Sequence, residues 1–325
     1  MLPEFDCSTT YNAAQIMMTH ASITYAAPND VATMLANPSL ATQGQWRLVW
    51  GPGVTTGNLM YVAQYMNSNI YAIAIRGTVP KFGLTLLVDL YEDLDVGTQV
   101  PWGHGAPPDA KVAYGTLDGL SDLASMVSNG QTLLQFIATL PDNAAIFVTG
   151  HSLGGCLTTV MAPWLQFKFA ASKPGLRLLP MTFAGPTAGN QAFADWYTQT
   201  AFPGVSFRYY NTLDIIPMAW QNLVGIKSLY PQPAPDCPWE MRGVIDMVNG
   251  WLVNVDDVAY VQPNGNGNPL PGTPYLTTSW FTEAGDQHGH NTYLDLLGAP
   301  QVPITDSAAL PVVAQKYLRG PLTEV

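Results

Sequence analysis

The stretch Ile146-Phe147-Val148-Thr149-Gly150-His151-Ser152-Leu153-Gly154-Gly155 decides the fold of this chain. Its first three residues form an apolar run without polar alternation, which is typical of a strand buried on both faces of a parallel sheet. The run leads into Gly150-x-Ser152-x-Gly154 and then into an apolar stretch of helical character. A strand, a sharp turn and a helix are the context in which a G-x-S-x-G serine is presented as a nucleophile. This turn, residues 150–154, is called the elbow, and we predict that Ser152 is a nucleophile.

Composition narrows the class of protein. The chain has 325 residues, of which 47% are hydrophobic and 11% charged, and its formal net charge is −11. These values argue against a disordered chain, and the negative charge argues against binding to nucleic acid. We find no apolar run long enough to span a membrane and no signal peptide. We expect one domain over residues 1–325. The charge-poor composition favours a secreted or extracellular enzyme whose leader is absent from this sequence, while a cytoplasmic location stays open.

The predicted elements follow the order expected of an α/β protein. A helix over residues 13–25 precedes three strands, and Asn67-Ser68-Asn69 between the last two favours a hairpin. Helices and buried strands alternate from there on, which is typical of parallel crossovers. We therefore expect a central, mostly parallel sheet with an antiparallel start and helices on both faces. The predicted strands are 46–50, 59–65, 70–76, 146–148, 178–183 and 205–210.

Two further regions carry definite expectations. A single crossover helix is predicted between residues 120 and 140, because apolar residues recur at helical spacing, Ser121 can cap it and Pro141 ends it. Residues 258–262 are predicted to form a strand, with a hairpin turn at 264–267.

A serine nucleophile needs an imidazole base and a carboxylate that orients the imidazole. Asp214 follows the predicted strand 205–210 at once, on the sheet edge where the elbow lies. His288 and His290 come later in the chain, separated by Gly289. A metal site at the two histidines is disfavoured because no thiolates lie nearby, so we expect no metal and no cofactor.

Acyl transfer also needs two hydrogen-bond donors that face the developing oxyanion. One is the N–H of the residue after the nucleophile, here Leu153. The other is expected from Thr78, because Arg76-Gly77-Thr78 ends an early strand. We predict an oxyanion hole made of Leu153 and Thr78.

Residues 79–90 are apolar although they occupy the place of a surface connection. They could form a lid that covers the pocket and moves away, or a short core helix, and the residues alone do not decide between these. Of the three cysteines, Cys156 is expected to be buried, whereas Cys7 and Cys237 could form one disulfide.

Several motifs, taken in order, resemble those of the class 3 lipases, the fungal-lipase-like family of α/β-hydrolases. The matching segments are Arg76-Gly77-Thr78, Gly150 to Gly155, Phe183-Ala184-Gly185-Pro186 with Gly189-Asn190, residues 211–217, and His290-x-x-Tyr293. An ordered set of motifs is more specific than any one of them. The resemblance implies an α/β-hydrolase fold, ester hydrolysis, and a lid that residues 79–90 would supply.

The resemblance also bears on the choice of base, and the chain departs from the family pattern in three places: at residues 112–116, in a lid segment that is longer and more apolar, and in the long stretch between Asp214 and His290. Only His290 is followed by a tyrosine at the family's spacing, so we predict His290 as the base. Where the family commonly has Val-His-x-Gly-Phe, this chain has Val112-Ala113-Tyr114-Gly115-Thr116, which we interpret as a packing difference.

We expect a serine hydrolase that cleaves carboxylic esters through Ser152, Asp214, His290 and an acyl-enzyme. The substrate class best supported is triacylglycerol, at an oil–water interface and under a mobile lid. The alternative is a carboxylesterase or feruloyl-type esterase that acts on soluble esters without interfacial activation. A remote alternative is a hydrolase-like binding protein that has lost its chemistry. The sequence leaves the oligomeric state open.

Overall fold

The computed structural model describes residues 10–55, 57–66, 68–77, 83–84, 86–263 and 267–304. The helices are α1 (Ala13–Ile23), α2 (Val31–Leu35), α3 (Leu86–Asp93), α4 (Tyr114–Ser125), α5 (Leu133–Thr139), α6 (Leu153–Phe169), α7 (Gln191–Trp196), α8 (Trp239–Gly250), α9 (Trp280–His288) and α10 (His290–Leu297). The strands are β1 (Trp46–Val54), β2 (Leu59–Tyr65), β3 (Ile70–Ile75), β4 (Gln99–Pro101), β5 (Lys111–Ala113), β6 (Val127–Ser128), β7 (Gln131–Thr132), β8 (Ala145–His151), β9 (Arg177–Phe183), β10 (Phe207–Asn211) and β11 (Asn268–Leu270). Short 3-10 turns cover Pro28–Asp30, Ile216–Met218 and Val224–Ser228, and π-helical turns cover Tyr197–Ala201 and Trp251–Val255.

One sheet of seven strands, in the order β1-β2-β3-β8-β9-β10-β11, forms the centre of the described part of the chain. The pairs β1/β2 and β2/β3 are antiparallel, whereas β3/β8, β8/β9, β9/β10 and β10/β11 are parallel. The predicted mostly parallel sheet with an antiparallel start is therefore confirmed. Parallel neighbours end at one edge, so the carboxyl ends of β3, β8 and β10 lie on the same side of the sheet.

Helices cover both faces of this sheet. Alternate residues of the inner strands point to opposite sides, so apolar strands present an apolar surface on each face that helices bury. Ile73 and Ile75 belong to one apolar core, together with residues of α4, α5, α6 and α7. Ala72 and Ala74 belong to a second core, together with residues of α1, α2 and α10. Strand β8 is buried over its whole length, as the apolar run around Phe147 indicates.

The predicted crossover helix over residues 120–140 is wrong as a single element. Two helices, α4 and α5, stand there, and the hairpin of β6 and β7 separates them. The hairpin turns at Asn129 and Gly130, whose φ angles of 50° and 75° lie in the left-handed region that a helix does not enter. Thr132 then caps α5 by accepting from the Gln135 N–H. The apolar spacing continues through this break because both helices pack on the same core.

The strand predicted over residues 258–262 is also wrong, since those residues form no regular strand. β11 instead pairs in parallel with β10, with Tyr209 opposite Asn268. The predicted hairpin turn lies mostly outside the described residues, which resume at Gly267.

A third apolar cluster, called the cover, lies over the carboxyl edge of the sheet. It is formed by buried residues of α3, α8 and α9 and of the segment that follows β10. Its members include Leu87, Leu213, Ile215, Ile216, Trp220, Leu223, Ile226, Met241, Ile245, Val248, Leu252, Trp280 and Ala284. Leu153 of the elbow packs against the cover as well as against the first core. The cover therefore touches the residue next to the predicted nucleophile.

The thiols of the described residues are both buried. Cys156 lies in α6 with its sulfur 3.7 Å from Oγ1 of Thr116, and burial raises its pKa to about 12. Cys237 is a free thiol, and Cys7 lies outside the described residues. Over the same described ranges, no helix has the length and hydropathy needed to cross a membrane.

Candidate active site

The elbow adopts the strained turn that its glycines predict. Ser152 lies between β8 and α6 with φ 59° and ψ −131°, a conformation that costs a non-glycine residue energy. A Cβ on Gly150 would lie 2.3 Å from the Gly154 carbonyl oxygen, and one on Gly154 would lie 2.2 Å from the oxygen of Ile75. Strand and helix can approach this closely only because both positions are glycine.

Ser152, His288 and Asp214 form a hydrogen-bonded chain. Nε2 of His288 lies 2.8 Å from the Ser152 hydroxyl, and its Nδ1 lies 2.8 Å from Oδ2 of Asp214. A carboxylate can only accept, so Nδ1–H donates to Asp214 and Nε2 is left to accept from the serine. The three side chains are 5%, 3% and 1% exposed, respectively, so water competes little for these bonds. This is the arrangement by which an imidazole activates a hydroxyl.

Asp214 is held in place by groups other than the histidine. It follows β10 closely, and its Oδ1 accepts from the Ile216 N–H at 2.9 Å. Its Oδ2 also accepts from the hydroxyl of Tyr293 at 2.7 Å. The Tyr293 oxygen in turn accepts from the Asn211 N–H at 3.0 Å. The carboxylate therefore has a fixed orientation before any substrate arrives.

The prediction of His290 as the base is corrected to His288. His288 is the last residue of α9, Gly289 is extended with φ −54° and ψ 136°, and His290 is the first residue of α10. The break turns the two imidazoles to different neighbours. The ring of His290 stacks on Tyr25, with centroids 5.2 Å apart and an interplanar angle of 13°. Tyr293, whose spacing pointed to His290, belongs to the site through its bond to Asp214.

Of the two predicted oxyanion donors, the structure describes only Leu153. Leu153 opens α6, and the first N–H groups of a helix have no partner within the helix, so its N–H is available as a donor. Thr78 lies outside the described residues. Gly77, which precedes it, lies against the elbow, because a Cβ there would be 2.9 Å from Cβ of Ser152. The strand end that leads to Thr78 therefore runs beside the nucleophile.

Two further histidines lie near the base and stay neutral. The His151 ring has its centroid 4.8 Å from that of His288, and burial, followed by the nearby His288 and His290, lowers its pKa well below the ordinary value. Burial and the nearby His288 lower the pKa of His290 to about 4. Because both neighbours are uncharged at neutral pH, His288 can accept a proton without an adjacent positive ring.

The sequence did not single out His151 or Tyr25 as site residues. His151 could have been suspected, since it immediately precedes Ser152 in the quoted stretch. Tyr25 lies just past α1, far from the motifs, and no local signal marks it. Within the described residues, no cluster of three or more His, Cys, Asp or Glu side chains is arranged to hold a metal ion.

The fold and this site define the class of protein: the chain is an α/β-hydrolase, and the hydrogen-bonded Ser152, His288 and Asp214 lie at the carboxyl edge of its sheet. Residues 72–223, which carry Ser152 and Asp214, match the family model of class 3 lipases. The resemblance seen in the motifs is therefore confirmed, and the chain is an ester hydrolase.

Solved structures of lipases resemble the chain to different degrees. The structure of M37 lipase is similar with 26% identity and a TM-score of 0.80, over 89% of this chain and 94% of that one. The Rhizomucor miehei lipase propeptide complex has 22% identity and a TM-score of 0.45, over 63% and 61% of the two chains. Lip2 lipase of Yarrowia lipolytica has 21% identity and a TM-score of 0.48, over 65% and 74%. The first of these similarities alone supports the fold over most of the chain.

Proposed function

We propose that this enzyme is a triacylglycerol lipase in which Ser152 attacks the ester carbonyl, His288 is the base and Asp214 orients His288. The chain of two 2.8 Å hydrogen bonds from serine to histidine to aspartate carries the proposal. As the Ser152 oxygen bonds to the carbonyl carbon, its proton passes to Nε2 of His288. The same proton then goes to the leaving alcohol, and a water activated by His288 hydrolyses the acyl-enzyme.

Negative charge that develops on the carbonyl oxygen needs donors in place. The Leu153 N–H supplies one, and we keep Thr78 as the proposed second donor because Gly77 brings the preceding backbone beside Ser152. Removal of one such donor costs about 3 kcal/mol of transition-state stabilisation in comparable enzymes.

The cover is proposed to act as the lid over this site. Ser152 is only 5% exposed, and Leu87 of α3, within the predicted lid segment 79–90, is fully buried in the cover. α3 packs against α8, and the Tyr91 hydroxyl donates to Oδ2 of Asp256 beyond the end of α8. A long-chain ester can reach the serine only after these elements move, and displaced apolar residues are best stabilised at an oil surface.

A soluble-ester esterase is the competing function. The two functions differ in whether the cover must open at an oil surface before the ester reaches Ser152. For a lipase that opens at an interface, the rate on tributyrin should rise steeply above its solubility limit. Simple saturation through that limit would favour the esterase. A series of p-nitrophenyl and triglyceride esters of increasing chain length, with a feruloyl ester included, then identifies the preferred acyl group.

The decisive experiment on the mechanism is Ser152→Ala, with Ser22→Ala as its matched control. Ser22 is another buried serine, and its hydroxyl has no partner among the described residues. Ser152→Ala should lose ester hydrolysis and covalent labelling by a fluorophosphonate, whereas Ser22→Ala should keep both. Substantial hydrolysis by Ser152→Ala would refute the assignment, and an unlabelled wild-type enzyme would revive the binding-protein alternative.

We also propose that the enzyme acts outside the cell. A charged fraction of 11%, well below the usual quarter, supports this for an enzyme of insoluble substrates. Fractionation of a culture of the native source, with activity and antibody detection, tests it. Enzyme confined to the cell pellet would contradict it.

A further inference from the structure

The phenol of Tyr25 lies between the ends of β3 and β8. Its hydroxyl is 3.0 Å from Nδ1 of His151 and 3.3 Å from the carbonyl oxygen of the same residue. From the other side, the phenol oxygen packs against the backbone of Gly77, where an added Cβ would lie 2.7 Å from it. His151 immediately precedes the nucleophile, and Gly77 immediately precedes the expected oxyanion donor. One oxygen atom therefore contacts the two strand ends that bring these groups together.

The hydrogen-bonding capacity of these groups permits one complete assignment. A phenol has one proton to donate and lone pairs to accept with. If the Tyr25 hydroxyl donates to the His151 carbonyl, it can accept from Nδ1–H of His151. With Nδ1–H as the donor, Nε2 of His151 carries the lone pair; this nitrogen is buried and has no hydrogen-bond partner among the described residues. An unpartnered lone pair is less costly in the interior than an unpartnered N–H.

Packing holds the Tyr25 ring in this position. His290 stacks on one face, and the His151 ring meets it edge to face, with centroids 5.9 Å apart and an angle of 73°. Burial raises the pKa of Tyr25, so the hydroxyl keeps its proton. The backbone is fixed as well, because the Tyr25 N–H donates to the Ser22 carbonyl at 3.0 Å. His290, which is not the base, thus contributes to the site by confining Tyr25.

We infer that Tyr25 is a positioning residue for ester hydrolysis, which sets the separation between the end of β3 and the elbow without touching the substrate. This inference rests on the proposed function. Donors that stabilise an oxyanion act only when they are held at hydrogen-bond distance from the place where charge develops. A misplacement of about 1 Å can cost a hundredfold in rate. The Tyr25 hydroxyl bonds to the His151 side of this gap and packs against Gly77 on the other side.

Tyr25→Phe tests the inference, and the chain offers a matched control. The hydroxyl of Tyr61 donates to the carbonyl of His20 at 2.9 Å and lies 3.1 Å from Nδ1 of that residue, the same pattern away from the triad. With p-nitrophenyl butyrate, Tyr25→Phe should lower kcat by about ten- to a hundredfold with little change in KM. A trifluoromethyl ketone, which forms a tetrahedral adduct with the serine, should bind more weakly by a similar factor. Tyr61→Phe should change neither quantity by more than about threefold.

A second pair of variants keeps Tyr25 and removes its partner. His151→Asn retains an N–H near the place of Nδ1, whereas His151→Leu does not, so the asparagine variant should keep the higher kcat. Equal activities in this pair would overturn the inference. So would a Tyr25→Phe enzyme with wild-type kcat, one with lower kcat but unchanged inhibitor affinity, or an equal loss in Tyr61→Phe. A wild-type enzyme that forms no covalent adduct at Ser152 would instead refute the proposed function.

Discussion

The Tyr293 hydroxyl and the His288 Nδ1–H both donate to the same oxygen of Asp214, Oδ2, at 2.7 and 2.8 Å. One carboxylate oxygen therefore serves the base and a fully buried tyrosine at once. The tyrosine comes from α10 and the base from α9, so the carboxylate connects two helices of the hydrolase in addition to its expected role in the reaction.

Tyr293→Phe should destabilise the enzyme and slow it. The substitution removes a hydrogen bond to a charged acceptor and leaves the buried Asn211 N–H without its partner. Bonds to charged groups contribute about 1.5–3 kcal/mol, so the free energy of unfolding should fall by about that amount. Urea denaturation followed by circular dichroism measures the stability, and kcat on a soluble ester measures the effect on the site.

The matched control for this variant is Tyr65→Phe. The Tyr65 hydroxyl donates to a neutral acceptor, Oε1 of Gln45, at 2.9 Å in a partly buried place. Its loss should cost about 1 kcal/mol and leave kcat unchanged. If Tyr65→Phe proves as harmful to kcat as Tyr293→Phe, the loss reflects general destabilisation and not the carboxylate.

His288→Ala and His290→Ala separate the two histidines. His288→Ala should reduce kcat by roughly 10⁴-fold or more, because the serine loses its base. His290→Ala should lower kcat far less, by about tenfold at most, since it removes a stacking partner of Tyr25 but leaves the hydrogen bonds of that residue in place. Initial rates on p-nitrophenyl butyrate decide the matter, and the reverse pattern would restore the sequence-based choice of His290.

Gly77→Ala should disable the site, whereas Gly243→Ala should not. A Cβ on Gly77 would lie 2.4 Å from the His151 carbonyl oxygen and 2.7 Å from the Tyr25 hydroxyl, so the strand end must shift. A shift of this size should lower kcat roughly a hundredfold. Gly243, in α8, has nothing within 4 Å of the same position. Gly243→Ala should raise stability by about 0.5–1 kcal/mol through helix propensity and leave the kcat on soluble esters unchanged.

The stability of the enzyme should fall with acidification below pH 6.5. Burial lowers the pKa of His20 from 6.5 to about 3, so between these values the unfolded chain binds a proton that the folded one does not. Stability from this group is therefore complete above pH 6.5 and is lost as the pH falls toward 3. At pH 5 the loss should be about 2 kcal/mol. Urea titrations of wild type and His20→Gln at pH 7.5 and 5 measure it. The variant should lose about 2 kcal/mol less than wild type over this interval, and equal losses would contradict the assignment.

The sequence was sufficient where local rules decide the structure. A buried strand, glycines spaced around Ser152 and an acid just beyond a strand are each encoded within a few residues, and parallel strands place them on one edge. The crossover helix was mispredicted because its apolar period continues through Asn129-Gly130, although Asn-Gly is itself a turn signal. The periodicity reflects a shared core, and it does not require a continuous helix.

The base could not be chosen from the sequence, because His288 and His290 are separated by one residue. The end of α9 at Gly289 and the packing of His290 on Tyr25 decide which imidazole meets the serine. Both features depend on tertiary packing, which the local sequence does not encode. The cover could not be predicted from the sequence either, since its residues come from segments as distant as Leu87 and Trp280.

The near-complete burial of Ser152 affects how preparations of this enzyme should be counted. If the cover opens as proposed, a water-soluble organophosphorus titrant meets the serine only in molecules that are open at that moment, so the measured number of active sites should grow with incubation time. Detergent or oil droplets should bring the count to its plateau sooner. A batch scored as largely inactive after a brief incubation in plain buffer can thus be fully competent, and its specific activity should be normalised to the plateau.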